Sequence, residues 1–79
     1  MTENEVLDAI TPVFRDIFSD DTLTLTLQTT AKDVAGWDSF AQINILIGIE
    51  ELFGVKFRSR EIDKLANVGD LVGLIQSKV

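Results

Sequence analysis

Residues 40–53 carry large apolar side chains on two opposite faces of one helix, which restricts the fold more than any other feature of this chain. At about 100° per residue, with Phe40 as zero, Ile45, Leu46, Ile49, Leu52 and Phe53 fall between roughly 120° and 240°. Phe40, Ile43 and Ile47 fall between roughly 300° and 0°, nearly opposite. A surface helix needs only one apolar stripe. The wider stripe, with Phe53, is expected to face the core. The second is either covered by a neighbouring helix or left out for a partner or cargo. A chain of 79 residues buries a low fraction of its surface, and three wet apolar side chains forgo roughly 1.5–3 kcal/mol each. On the residues alone burial is favoured, and exposure would imply a use.

The remaining segments supply helices to pack against this one. Val6, Leu7, Ile10, Val13, Phe14, Ile17 and Phe18 repeat at helical spacing, predicting a helix from about Glu3 to Phe18. Thr2 or Asn4 can cap it. Pro12 removes a hydrogen bond from its middle, so the helix either bends there or is shorter than its pattern. Thr22 to Leu27 alternates Thr and Leu as a strand would. A lone strand has no backbone partner, so an extended loop pegged by its leucines is expected, with a short strand as the alternative. Residues 29–34 fit one helical turn. Asp38 caps the helix from Ser39 to about Phe53, and Gly54 ends it. Arg58 to Leu65 reads as a short helix capped by Ser59. A last helix runs from about Val68 to Ser77, capped by Asn67, with Val68, Leu71, Val72 and Ile75 inward. The expected fold is all-α: one domain over residues 1–79, a small bundle of three longer helices and one short helix with a long first loop.

Composition removes several function classes. The chain has no His and no Cys, hence no ordinary Ser-His-Asp or Cys-His catalysis and no Cys-based metal site. An independent enzyme is not expected. The net charge is -6, which argues against direct nucleic-acid binding. The acids crowd residues 1–55, where only Arg15 and Lys32 oppose them, while Lys56, Arg58, Arg60, Lys64 and Lys78 leave the remainder net positive. An acidic front half suits basic partner surfaces, or simply solubility. No signal peptide is visible and no apolar run can span a bilayer. A cytoplasmic monomer without membrane insertion is expected.

The residue that stands out chemically is Ser39, between the two stripes at the start of the doubly apolar helix. Free backbone N–H groups and the helix dipole favour an anion there, so a phosphate ester on this serine would fit, although Asp38 adds a like charge. For an arbitrary Asp-Ser pair at a helix start, plain capping is the stronger reading.

Gly36-Trp37-Asp38-Ser39-Phe40, followed by Ile43, Ile45, Leu46, Ile49, Glu50, Glu51, Phe53, Gly54 and Phe57, resembles the acyl carrier proteins. Their pattern is a small residue, a variable one, Asp-Ser-Leu, then an apolar and acidic helix ending in Glu-Glu-x-Phe. The resemblance covers nearly the whole chain. It implies that Ser39 accepts a 4′-phosphopantetheine arm from coenzyme A through a phosphopantetheinyl transferase, with Asp38 as flanking cap. It also implies that the arm's thiol holds acyl groups as thioesters, so the sulfur missing from the chain arrives with the cofactor. Partners would be that transferase and acyl-loading and acyl-transfer enzymes with basic docking surfaces. Phe40, Ile43 and Ile47 would form an exposed recognition patch, with Glu50 and Glu51 docking basic groups.

Some positions depart from the common pattern. Phe40 replaces Leu, Ala41 and Asn44 stand where many fatty-acid carriers have acids, and Lys56, Arg58 and Arg60 occupy a region often acidic. Gly48 sits mid-helix, at a cost of about 1 kcal/mol unless it allows close packing. These departures count against a housekeeping fatty-acid carrier, and Gly36-Trp37-Asp38-Ser39 more closely resembles free-standing carriers of specialised or polyketide-type pathways. A free-standing aminoacyl or peptidyl carrier is the alternative within the family. An unmodified helical interaction module using the Phe40 patch is the alternative outside it.

Overall fold

The computed structural model describes residues 1–79. Helix α1 spans Glu3–Phe18, α2 Ser39–Phe53, α3 Ser59–Ile62 and α4 Val68–Lys78, with a single 3-10 turn at Ala31–Asp33. There is no strand. Val6, Ile10 and Phe14 of α1 meet Ile45, Leu46 and Ile49 of α2 and Val68, Leu71, Val72 and Ile75 of α4 in one core, to which the loop adds Leu25. The molecule measures 28 × 24 × 22 Å.

Helix α1 starts on a reciprocal cap. The Glu5 N–H donates to Thr2 Oγ1 at 3.2 Å, and the Thr2 N–H donates to Glu5 Oε1 at 2.8 Å. Thr2, not Asn4, is therefore the cap. Pro12 neither ends nor shortens the helix. It lies on the exposed side, so the carbonyl that loses its partner is left to solvent. Ser19 closes the helix in the left-handed conformation, and the next N–H, from Asp20, returns to the Arg15 carbonyl at 3.0 Å.

The loop from residue 19 to 38 is extended but ordered by its contacts. Leu25 is buried, and Leu23 and Leu27 pack on the core from outside. The Arg15 Nε–H donates to the Leu23 carbonyl at 2.9 Å. The opening N–H groups of α4 serve the same loop: Val68 donates to Thr29 O at 2.8 Å and Gly69 to Leu27 O at 2.7 Å. The unpaired donors of one helix start thus satisfy the carbonyls that a strand would have paired with a neighbour. A Cβ on Gly69 would lie 2.7 Å from Leu27 O, so only glycine permits this approach.

Two expectations need correction. The short helix is one turn, and its cap position is Arg58 rather than Ser59. The reason is Glu61, which sits three residues after Arg58 and takes its N–H at 2.9 Å. Leu52, assigned to the core stripe, is 50% exposed. It lies at the stripe's edge, in the last turn before Gly54. Gly48 is explained by close packing, since its Cβ would come within 2.8 Å of Val13 Cγ1 on α1.

Candidate functional site

Ser39 is the first residue of α2 and is exposed. Asp38 holds that start in place, its Oδ1 accepting the Ala41 N–H at 2.9 Å while its carbonyl accepts the Gln42 N–H at 2.9 Å. The N–H groups of Ser39 and Phe40 have no partner within the chain. They give the helix start a local positive field suited to an anion.

Trp37 fixes where this start lies. Its ring meets Phe14 edge-on at 5.2 Å between centroids and leans on Phe18 at 6.2 Å, tying the residue before the cap to α1. Its Nε1–H donates to Gln42 Oε1 at 2.7 Å, one turn into α2. Gly36, with φ at 86°, supplies the left-handed turn that leads into the tryptophan. Ser39 is therefore presented from a braced position.

Beside it opens a cleft of about 520 Å³. One wall is Trp37, Asp38, Ser39, Gln42 and Ile43 from the start of α2; the other includes Leu65, Asn67, Val68 and Leu71 from the approach to α4. The sequence singled out Trp37, Asp38, Ser39, Ile43, Val68 and Leu71 one by one but did not bring them to one cleft, because its walls lie far apart along the chain.

The second stripe of α2 is exposed, against the reading from the residues alone and in agreement with the resemblance. Phe40 is 80% exposed, Ile43 55% and Ile47 47%. Glu51 lies free at the far end of the same helix. Glu50 is half-buried, and its Oε2 accepts the Phe57 N–H at 2.8 Å, so this carboxylate also folds the chain back after Gly54. No cluster of His, Cys, Asp or Glu could hold a metal ion. No helix is long and apolar enough to cross a membrane.

Residues 8–75 match the family model described as a phosphopantetheine attachment site. The chain belongs to the acyl carrier protein family. Over its full length it is 27% identical to an acyl carrier protein of an Exiguobacterium species, covering all of both chains. It is 29% identical over 77 residues to acyl carrier protein 2 of Ralstonia nicotianae, covering 98% of this chain and 95% of that one. The fold is similar to the solution structure of the holo acyl carrier protein from Geobacter metallireducens, with a TM-score of 0.87 and 44% identity. That likeness covers 92% of this chain and 84% of the other. An acyl carrier protein is a carrier rather than a catalyst, and its prosthetic group is a covalently attached phosphopantetheine. The residues of this carrier fit such a group: an exposed hydroxyl, two free N–H groups at a helix start, and a largely apolar cleft alongside.

Proposed function

We propose that Ser39 is the attachment point of the phosphopantetheine arm, and that residues 1–79 act as one carrier domain shuttling acyl intermediates between biosynthetic enzymes. The observation that carries this reading is the exposed Ser39 hydroxyl at the first position of α2, braced by Asp38 and opening onto the cleft. When bound, the arm supplies a terminal thiol that holds acyl groups as thioesters. In the loading step the Ser39 oxygen forms a bond to the phosphorus of coenzyme A that carries the pantetheine. The pyrophosphate bond would break and the adenosine bisphosphate would leave. The serine proton passes to a base supplied by the transferase; the nearest carboxylate of this chain, Asp38, is turned to the Ala41 N–H. The unpartnered N–H groups of Ser39 and Phe40 would offset the charge of the phosphodiester.

Phe40, Ile43 and Ile47 then form the docking face, with Glu51 as its free carboxylate and Glu50 as one shared with the fold. In the proposed setting, a cytoplasmic monomer, this face meets basic surfaces of acyl-loading and acyl-transfer enzymes. The pathway is proposed to be of the polyketide or specialised type, on the strength of Gly36-Trp37-Asp38-Ser39, with Phe40, Ala41, Asn44 and the basic residues Lys56, Arg58 and Arg60 counting against a housekeeping fatty-acid carrier. Incubation of the apo protein with coenzyme A and a broad transferase should add one phosphopantetheine to the intact mass. Ser39→Ala should add none, and equal uptake by that variant would sink the assignment.

A further inference from the structure

We propose that the cleft beside Ser39 is built for a chain bearing neutral carbonyl oxygens, with the side-chain amides of Gln42 and Asn67 as its specificity-determining donors. This deepens the reading of Ser39 as the attachment point and rests on it. Gln42 stands on the α2 wall and Asn67 on the α4 wall. Each has its oxygen already committed. Gln42 Oε1 accepts the Trp37 indole N–H at 2.7 Å, and Asn67 Oδ1 accepts the Asp70 N–H at 2.8 Å. Fixing the oxygen of an amide fixes its NH2 group as well, and neither NH2 has a partner within the chain. Both lining residues thus keep an unpartnered NH2 group, in surroundings that Ile43, Leu65, Val68 and Leu71 make apolar.

This polarity discriminates among chains. A plain alkyl chain would strip water from both NH2 groups and return nothing. A carboxylate would lie near Asp38 with no Lys or Arg among the lining residues to receive it. A ketone, ester or amide carbonyl accepts from the NH2 groups and brings no charge. The volume of about 520 Å³ lies in the range that holds a small organic chain. Two sources offer such oxygens: the amide carbonyls of the arm itself and a carbonyl within the cargo. Trp37, held by Phe14 and Phe18, acts as the positioning residue for Gln42.

The test loads the apo protein from coenzyme A, hexanoyl coenzyme A and 3-oxohexanoyl coenzyme A, with intact mass confirming each. Proton–nitrogen correlation spectra then follow the side-chain NH2 resonances of Gln42 and Asn67. Movement of both on loading from coenzyme A alone identifies the arm's amides as the acceptors. Movement only with the 3-oxo chain identifies the cargo. Either supports the proposal. NH2 resonances unmoved in all three loaded forms overturn it while leaving the attachment at Ser39 intact. A protein that gains no mass overturns both readings. Gln42→Glu keeps an oxygen for the indole but removes the donor, and should lower the seated-to-free ratio of the chain that moved the resonances by about fivefold. Asn67→Asp does the same while keeping the α4 cap, and full seating in both variants would also overturn the proposal.

Discussion

At the scale of single residues, Glu50 and Glu51 show how adjacent carboxylates come to differ. Glu51 is exposed, whereas Glu50 is half-buried and takes the Phe57 N–H. Glu51→Lys should leave the melting temperature nearly unchanged and slow transfer to basic partners, an effect that fades at high salt. Glu50→Lys should also lower stability, by about 1–3 kcal/mol in urea titrations, because the loop N–H loses its acceptor. The sequence placed both on the same acidic turn and offered no means to separate them. That difference depends on Gly54 turning the chain back, which brings Phe57 within reach. The helix start at Asp38 and Ser39 and the second apolar stripe from Phe40 were legible because a cap and a helical period are local facts. The Trp37–Gln42 bond was not, since five residues separate partners that sit on either side of a cap.

At the scale of elements, the glycines within α2 and α4 separate packing from propensity. Gly73 has nothing within 4 Å of an added Cβ, so Gly73→Ala should stabilise α4 by about 0.5–1 kcal/mol through propensity alone. Gly48→Ala has the same propensity gain but drives a methyl against Val13, whose branched side chain yields poorly. It should therefore destabilise by about 1–3 kcal/mol, and adding Val13→Ala should recover part of that. A Gly48→Ala protein more stable than wild type would show that α1 and α2 are not held at this distance. Helix positions and caps were readable from spacing and from residues such as Asp38 and Asn67. Whether a stripe is covered was not readable, because periodicity reports a face and not its neighbour. That is why the exposure of Phe40, Ile43 and Ile47, and of Leu52 on the other face, needed the structure.

At the scale of the whole molecule, α3 is tied to the end of the bundle by one carboxylate. Glu61 accepts the Arg58 N–H and pairs with Lys78 Nζ at 3.1 Å, and Lys78 also lies over the Phe57 ring. The Arg58 N–H first, and then Lys78, hold the Glu61 carboxyl below the ordinary glutamate range. Since its folded value is the lower one, its contribution is complete above the ordinary value of 4.5 and is lost as pH falls through that value and below. Glu5 and Asp20, lowered mainly by hydrogen bonds from Thr2 and Thr22, act in the same direction. Thermal melts should therefore show stability falling with acidification in this window, with a shallower fall in Glu61→Gln. An unchanged slope would assign the acid sensitivity to the other carboxylates. The clamp of Leu27 and Thr29 onto Gly69 and Val68 has a different kind of consequence, one of timing. It joins positions roughly forty residues apart, a closure available only to a chain whose last helix has docked. The long loop, and with it the approach to Ser39, is then held by contacts that only a docked α4 supplies. On the proposed attachment at Ser39, an enzyme that reads this serine by the shape of its surroundings meets that shape only in a chain whose last helix has docked.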